Sequence, residues 1–167
     1  MLYIIIMNVY LKISDLKNDT NFIDIKDTIR YLYPKKNTIM DGEFTKILFS
    51  KENVTLNGIY LYLPITTEKK ITSNSEIFIR NIVNTPLNAT IVQDLQQLEQ
   101  SILTHYKQYI RKDKLIDTIL SKQLKTGQIR VYQDPYNNRK KKYTIIKISG
   151  IWETSKKIGL TYKIMEL

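Results

Sequence analysis

The sequence predicts an α+β domain that is mainly β, and three patterns carry that reading. Short alternating runs rich in β-formers follow one another closely from residue 44. A helical period then takes over near residue 91. Strand patterns return from residue 128 and continue to 164.

The elements follow in order. Residues 1–13 open with Met1-Leu2-Tyr3-Ile4-Ile5-Ile6-Met7, which is apolar but too short for a membrane span or a signal peptide core, and reads as a first strand. Residues 15–21 are polar and turn-like, and 22–33 fit either a strand or a short helix. Pro34 to Asn37 reads as a loop. Strands are expected over 44–50, 54–65 and 76–83, with a polar, flexible stretch at 66–75. Thr90 or Asn88 is a candidate cap for a helix that turns Ile91, Leu95, Leu98, Ile102 and Tyr109 inward, with Gln96, Gln97, Glu99 and Gln100 on its opposite face. That Gln-rich face fits either solvent or a dimer contact. A second helix over 113–124 is expected to start at Asp113, to stop at Gly127 and to bury Leu115 and Ile119, with Ile116 and Leu120 as further candidates for the inward face. Strands over 128–133, 143–152 and 158–164 complete the chain, with a turn from Asp134 to Asn138 between the first two.

From residue 44 the order is β-β-β-α-β-β. That order predicts an OB-fold-like five-stranded barrel with extra N-terminal strands and a helical insertion between the third and fourth barrel strands. Neither repeats nor a linker divide the chain, so residues 1–167 are expected to form a single nucleic-acid-binding domain.

Composition narrows the chemistry. Hydrophobic residues make up 43% and charged residues 25%, the balance of a folded globular protein. Without cysteine there is no disulfide, thiolate metal site or cysteine nucleophile, which fits a reducing, cytoplasmic setting. Abundant Ile, Lys, Asn and Tyr, with scarce Gly, Pro and Ala, point to an AT-rich genome. The formal net charge is +10. Residues 107–147 hold 12 Lys or Arg against 3 Asp, an excess of nine positive charges in one stretch. A polyanionic partner is expected from this.

Strand parity singles out the contact residues. Around Gly58, Ile59, Leu61 and Leu63 share one face and Tyr60 and Tyr62 the other. Exposed tyrosines on a strand are stacking platforms for unpaired bases, or else they cover a second sheet or the helix. Arg130 and Tyr132 repeat the pattern opposite Ile129 and Val131. Tyr136 to Tyr143 brackets the run Arg139, Lys140, Lys141 and Lys142, with Lys147 beyond; such a run is either a phosphate-gripping loop or a solvated turn. By parity Trp152 shares a face with Ile146 and Ile148, which favours a core position, and Gly150 and Gly159 are expected where strands bend.

Enzyme signals are poor. His105 is the only histidine and reads as a surface residue on the helix. No metal site, cofactor site, phosphate loop or Ser/His/Asp set is recognised. Asp41, Glu43 and Glu52, at loops and strand ends, are the carboxylates that could hold a divalent ion for phosphodiester cleavage.

Two segments resemble a known group. Lys147-Ile148-Ser149-Gly150-Ile151-Trp152-Glu153 with Gly159-Leu160-Thr161-Tyr162-Lys163 is similar to the closing hairpin of small OB-fold single-stranded-DNA-binding proteins of large cytoplasmic DNA viruses and yeast cytoplasmic linear plasmids. Residues 44–50 with Leu56-Asn57-Gly58-Ile59-Tyr60 resemble the early strands of that group. The resemblance implies an OB-type barrel that binds unpaired DNA during replication without catalysis. The chain departs from many replicative members in ending Lys163-Ile164-Met165-Glu166-Leu167, with no acidic tail to recruit replication proteins.

The expected function is therefore non-catalytic, sequence-independent binding of single-stranded DNA, with RNA as a possible ligand and a homo-oligomer as a possible state. Tyr60, Tyr62, Tyr132 and Tyr136 would stack bases; Arg130, Arg139, Lys140, Lys141, Lys142 and Lys147 would hold phosphates. The alternative is a structural or accessory subunit of a replication, transcription or virion complex, with the tyrosine faces buried against protein.

Overall fold

The computed structural model describes residues 11–13, 25–36, 41–51, 53–74, 77–133 and 143–167. The expected strand before Leu11, the turn at 15–21, and the turn and basic run at 134–142 lie outside the described residues.

Among the described residues eleven strands form one sheet: β1 (Ile29–Tyr31), β2 (Lys35–Lys36), β3 (Glu43–Lys51), β4 (Val54–Leu56), β5 (Ile59–Leu63), β6 (Thr67–Asn74), β7 (Ile77–Ile82), β8 (Leu115–Asp117), β9 (Gln128–Gln133), β10 (Thr144–Glu153) and β11 (Lys157–Glu166). The described helices are the single turn α1 (Ile25–Thr28), the long α2 (Pro86–Ile110) and the short α3 (Ile119–Lys125).

The main path through the sheet is β1-β3-β10-β11-β9-β7-β6. β10 is its centre. One edge of β10 pairs with β11 along its whole length, and the other is shared between β5 (at 144–148) and β3 (at 150–153). β11 is flanked in turn by β8 and β9, both parallel to it. The fold is mainly β, as expected, but the sheet is open. Its edge strands β1 and β6 do not pair with each other among the described residues, so the closure of a five-stranded barrel is not seen.

Local chemistry explains where elements depart from expectation. Of the stretch expected to be flexible at 66–75, residues 67–74 form the strand β6, which ends the sheet path among the described residues. The long strand expected over 54–65 breaks into β4 and β5 at Gly58. There φ is +120°, and a Cβ would stand 2.8 Å from the Ile148 carbonyl oxygen. Of the ambiguous stretch 22–33, Ile25–Thr28 is helix and Ile29–Tyr31 is strand, and Lys35–Lys36 of the expected loop pairs with β3.

α2 starts earlier than its apolar period. Its cap is Thr85, which accepts from the Asn88 N–H, and neither Asn88 nor Thr90 caps it. Asn88 is buried instead and ties the helix start to the Thr66 N–H and to the Thr66 and Val83 carbonyls. Leu95, Leu98, Ile102 and Leu103 are fully buried, each worth about 1.5–3 kcal/mol of apolar transfer. Tyr106 fills the position expected for Tyr109, which is 60% exposed.

The second helix is shorter than expected. Leu115–Asp117 is a strand paired with β11, and Asp113 is exposed and paired with Lys107; Leu120, a candidate for the inward face, is buried with Leu124, whereas Leu115 and Ile119 are exposed. Gly127 follows the helix with φ +72°, as its stop. Glu99 is fully buried, not on a solvated face: its Oε1 accepts from the Leu120 N–H (2.9 Å) and its Oε2 from the Ser121 N–H (2.7 Å) and Oγ (2.6 Å). Thr118 makes no side-chain cap, so this carboxylate from α2 caps α3 in its stead.

The core joins α2 and α3 to one face of the sheet. Ile47, Ile59, Leu61, Ile129, Val131, Ile146, Ile148 and Ile164 belong to the same buried cluster as the apolar residues of both helices. This leaves the opposite face of the sheet without a helix among the described residues.

Candidate nucleic-acid interface

Register places the predicted residues of β5, β9 and β10 on that second face. Cross-strand partners project to the same side of a sheet. Lys147 is opposite both Tyr60 on β5 and Lys163 on β11, and Met165, two residues on, is opposite Tyr132 on β9. Tyr60, Tyr62, Lys147, Arg130 and Tyr132 therefore share one surface. Tyr136, Arg139, Lys140, Lys141 and Lys142 lie outside the described residues.

Further residues of this surface escaped sequence reasoning, Phe44 and Tyr143 among them. Lys163 and Lys46 sit here, the latter opposite Gly150. Trp152 does too. Its register partners are Phe44 and Gly159, which put it on the outer face rather than in the core. The cause is a β-bulge between Ile148 and Gly150: one extra residue reverses the alternation, so Ile151 enters the core and Trp152 leaves it. Both glycines then make room for rings. A Cβ on Gly159 would stand 2.4 Å from Trp152 Cζ2, and one on Gly150 would stand 2.5 Å from Phe44 Cζ.

The surface alternates cations and aromatic rings. Lys147 Nζ lies 5.3 Å from the Tyr60 ring centroid and Lys163 Nζ lies 4.3 Å from that of Tyr132. Tyr62 meets Tyr143 edge to face at 6.1 Å. Ile145 is buried beside them, between its register partners Tyr62 and Met165, and stands apart from the main core. The aromatic residues of the surface are half-buried, so each ring keeps part of its area open. Among the described residues of β3, β5, β10, β11 and β9 this face carries Lys46, Lys147, Lys157, Lys163 and Arg130, and at its margin Asp117 of β8, opposite Gly159, lies 3.9 Å from Lys157.

Much of the basic stretch of the sequence is elsewhere. Lys107 pairs with Asp113 at 2.7 Å and Lys122 with Asp117 at 2.5 Å. Lys114 and Lys112 pair with the buried Glu153, which also accepts from Tyr106 at 3.2 Å. Burial alone would raise the Glu153 carboxyl, but the hydrogen bond and charge of Lys114, with Lys112, hold it below the usual carboxylate range. The same surroundings push Tyr106 up to about 12, mainly by burial. The three carboxylates Asp113, Asp117 and Glu153 thus offset three of the four positive charges of these lysines.

At the β9 end the surface opens into a cleft of about 500 Å³, whose rim carries Arg130, Tyr132 and Lys163. Gln123 of α3 reaches it and accepts from the Tyr162 hydroxyl at 2.5 Å. Burial, and then the Glu99 charge, push the Tyr162 phenol up to about 12, so it stays a donor at neutral pH.

The carboxylates weighed for metal chemistry are scattered. Asp41 is exposed, Glu43 lies opposite Glu153 in register, and Glu52 is outside the described residues. Among the described residues no three His, Cys, Asp or Glu side chains come together as a metal site. His105 is half-buried rather than on the surface, with Nδ1 2.8 Å from the Tyr31 hydroxyl. No described helix is long and apolar enough to cross a membrane.

No family model, curated protein or solved structure matches this chain. The functional reading therefore rests on the site itself.

Proposed function

We propose that the chain binds single-stranded DNA without catalysis, along the outer face of its sheet. The observation that carries this is the outer sheet face, which no described helix covers: five cations (Lys46, Arg130, Lys147, Lys157 and Lys163) alternate there with six aromatic rings (Phe44, Tyr60, Tyr62, Tyr132, Tyr143 and Trp152), and Asp117 stands at its margin. Lysine and arginine neutralise phosphates and release counterions, while rings stack bases of any identity. The cations already lie over Tyr60 and Tyr132, so an incoming base would slide against the ring as the ammonium moves to the phosphate. Duplex DNA hides its base faces and would gain only the charge term.

A role in copying an AT-rich replicon in the cytoplasm, and an OB-type ancestry for the sheet, follow from the resemblance of the 147–163 hairpin and belong to the same proposal. The basic run Arg139 to Lys142, with Tyr136, would extend the contact.

The test is fluorescence anisotropy with labelled oligo-dT, matched RNA and duplex DNA across a salt series. Tight binding of unpaired DNA that weakens steeply with salt is expected. No binding of any of the three at low salt would remove nucleic acid and leave the accessory-subunit reading, in which the aromatic face docks on protein.

A further inference from the structure

The cleft beside Tyr132 arises from a feature of the sheet that repetitive backbone binding does not need. β8 pairs with β11 at Lys157–Gly159 and β9 pairs with it at Ile164–Glu166. Between those segments, residues 160–163 pair with β10 alone. On β9, residues 128–130 likewise pair only with β7. The two parallel strands thus splay apart below the Ile164–Val131 pair, and α3 closes the opening with Ile119 and Gln123.

The volume, about 500 Å³, is that of a small-molecule site and suits one nucleotide rather than a peptide strand or a helix. Leu160 and Ile164 give it an apolar wall, and Tyr132 gives a ring. Its polar groups are almost all donors. Arg130 and Lys163 are cations, and no carboxylate lines the cleft. The Gln123 carbonyl oxygen is engaged by the Tyr162 hydroxyl, which leaves the amide N–H groups to offer. Thr161 adds a hydroxyl. A ligand that fits must bring acceptors: a phosphate for the cations and a carbonyl-bearing base edge for Gln123. Thymine and guanine present such carbonyls, whereas cytosine and adenine present an amino donor at the corresponding edge.

We propose that this cleft holds one nucleotide of the bound strand, turned out of the stack, and favours a keto base, thymine or guanine, over an amino base. The assignment rests on the proposed binding of single-stranded DNA and adds a modest base preference to it. Arg130 and Lys163 hold the phosphate beside the extruded base, Tyr132 stacks it, and Gln123 reads its edge. One unmatched donor in a half-closed site corresponds to roughly fivefold in affinity.

The experiment compares oligo-dT with oligo-dC, two pyrimidine strands that differ in the group at C4, by anisotropy at fixed salt. The native chain is expected to bind oligo-dT about fivefold more tightly. In Gln123→Met, which keeps the volume and removes the amide, the ratio is expected to fall to about one while the salt slope stays unchanged. Tyr162→Phe, which frees the amide oxygen to accept, should lower the ratio too. A native ratio of one, with both strands bound, overturns the cleft assignment and leaves the proposed function standing. A ratio that survives in both variants overturns it as well. Failure of both strands to bind overturns the proposed function and the cleft assignment together.

Discussion

Removing the pair Lys147 and Lys163 tests most directly whether the sheet face holds phosphates. These residues are opposite each other on β10 and β11, which places their Cβ atoms about 5 Å apart, so they would grip neighbouring phosphates of one strand. Each phosphate neutralised on a single strand contributes about 0.7 to the slope of log affinity against log salt. Lys147→Ala with Lys163→Ala should thus make that slope shallower by about 1.4. Between 50 and 200 mM salt the native chain would lose about sevenfold more affinity than the variant. This difference does not depend on how many phosphates the Arg139 to Lys142 run holds, because that share is common to both proteins. Lys163 is exposed and Lys147 half-buried, so neither truncation opens the core. Each lysine also lies over a tyrosine, so the charge-keeping pair Lys147→Arg and Lys163→Arg serves as control and should retain the native slope. The assay is anisotropy of labelled oligo-dT over a potassium chloride series. A slope in the alanine variant equal to the native one would refute the face as a phosphate site, and the basic run would then have to carry the charge term alone.

Three predictions concern the framework that presents this face. Glu99→Ala leaves two backbone N–H groups and a hydroxyl of α3 unpaired in the core, and should cost about 3–5 kcal/mol in urea unfolding; a loss under 1 kcal/mol would mean that α3 does not need this cap. Gly159→Ala drives a methyl into the indole of Trp152, the only tryptophan, so a red-shifted emission and a loss of about 1–3 kcal/mol are expected, while an unshifted spectrum would place the ring elsewhere. Glu153 is held below its usual pKa in the folded state, so its contribution is full above the unfolded value near 4.5 and is lost as pH falls through the folded one. Glu153→Gln should therefore flatten the acid limb of the stability curve, and parallel limbs in variant and native chain would show that the Lys114 pairing is not what sets it.

What could be read from the sequence was what depends on local period. The apolar alternations of β5 and β9 assigned Tyr60, Tyr62, Arg130 and Tyr132 to one side of their strands, and register confirms that those sides coincide. What depends on pairing could not be read. The bulge between Ile148 and Gly150 has no signature beyond a glycine, yet it carries Trp152 from the expected core to the surface. Lys46 and Lys163 have no signature along the chain, where the 107–147 stretch dominates the charge, whereas the surface gathers its cations from strands far apart in sequence. Glu99 looked solvated because a carboxylate among glutamines fits an outer helix face; only the arrival of α3 from a later segment gives it donors. Closure of the sheet likewise depends on partners for β6 and β1 that no local pattern specifies.

The position of β10 also bears on how the protein is made. β3 and β5 reach the main sheet only through β10, which lies some hundred residues later, at 144–153. While the earlier residues emerge from the ribosome, their apolar strand faces have no central strand to close upon. Pairings of such long sequence separation form slowly, because the loop entropy is lost before the contacts are gained. The nascent chain would thus depend on chaperones until β10 and β11 are synthesised, and a polypeptide truncated before residue 144 would lack the two strands that join β3 and β5 to β9, β7 and β6, and with them the centre of the binding face. Pulse-labelled chains should gain protease resistance late and in one step, when the last hairpin is complete.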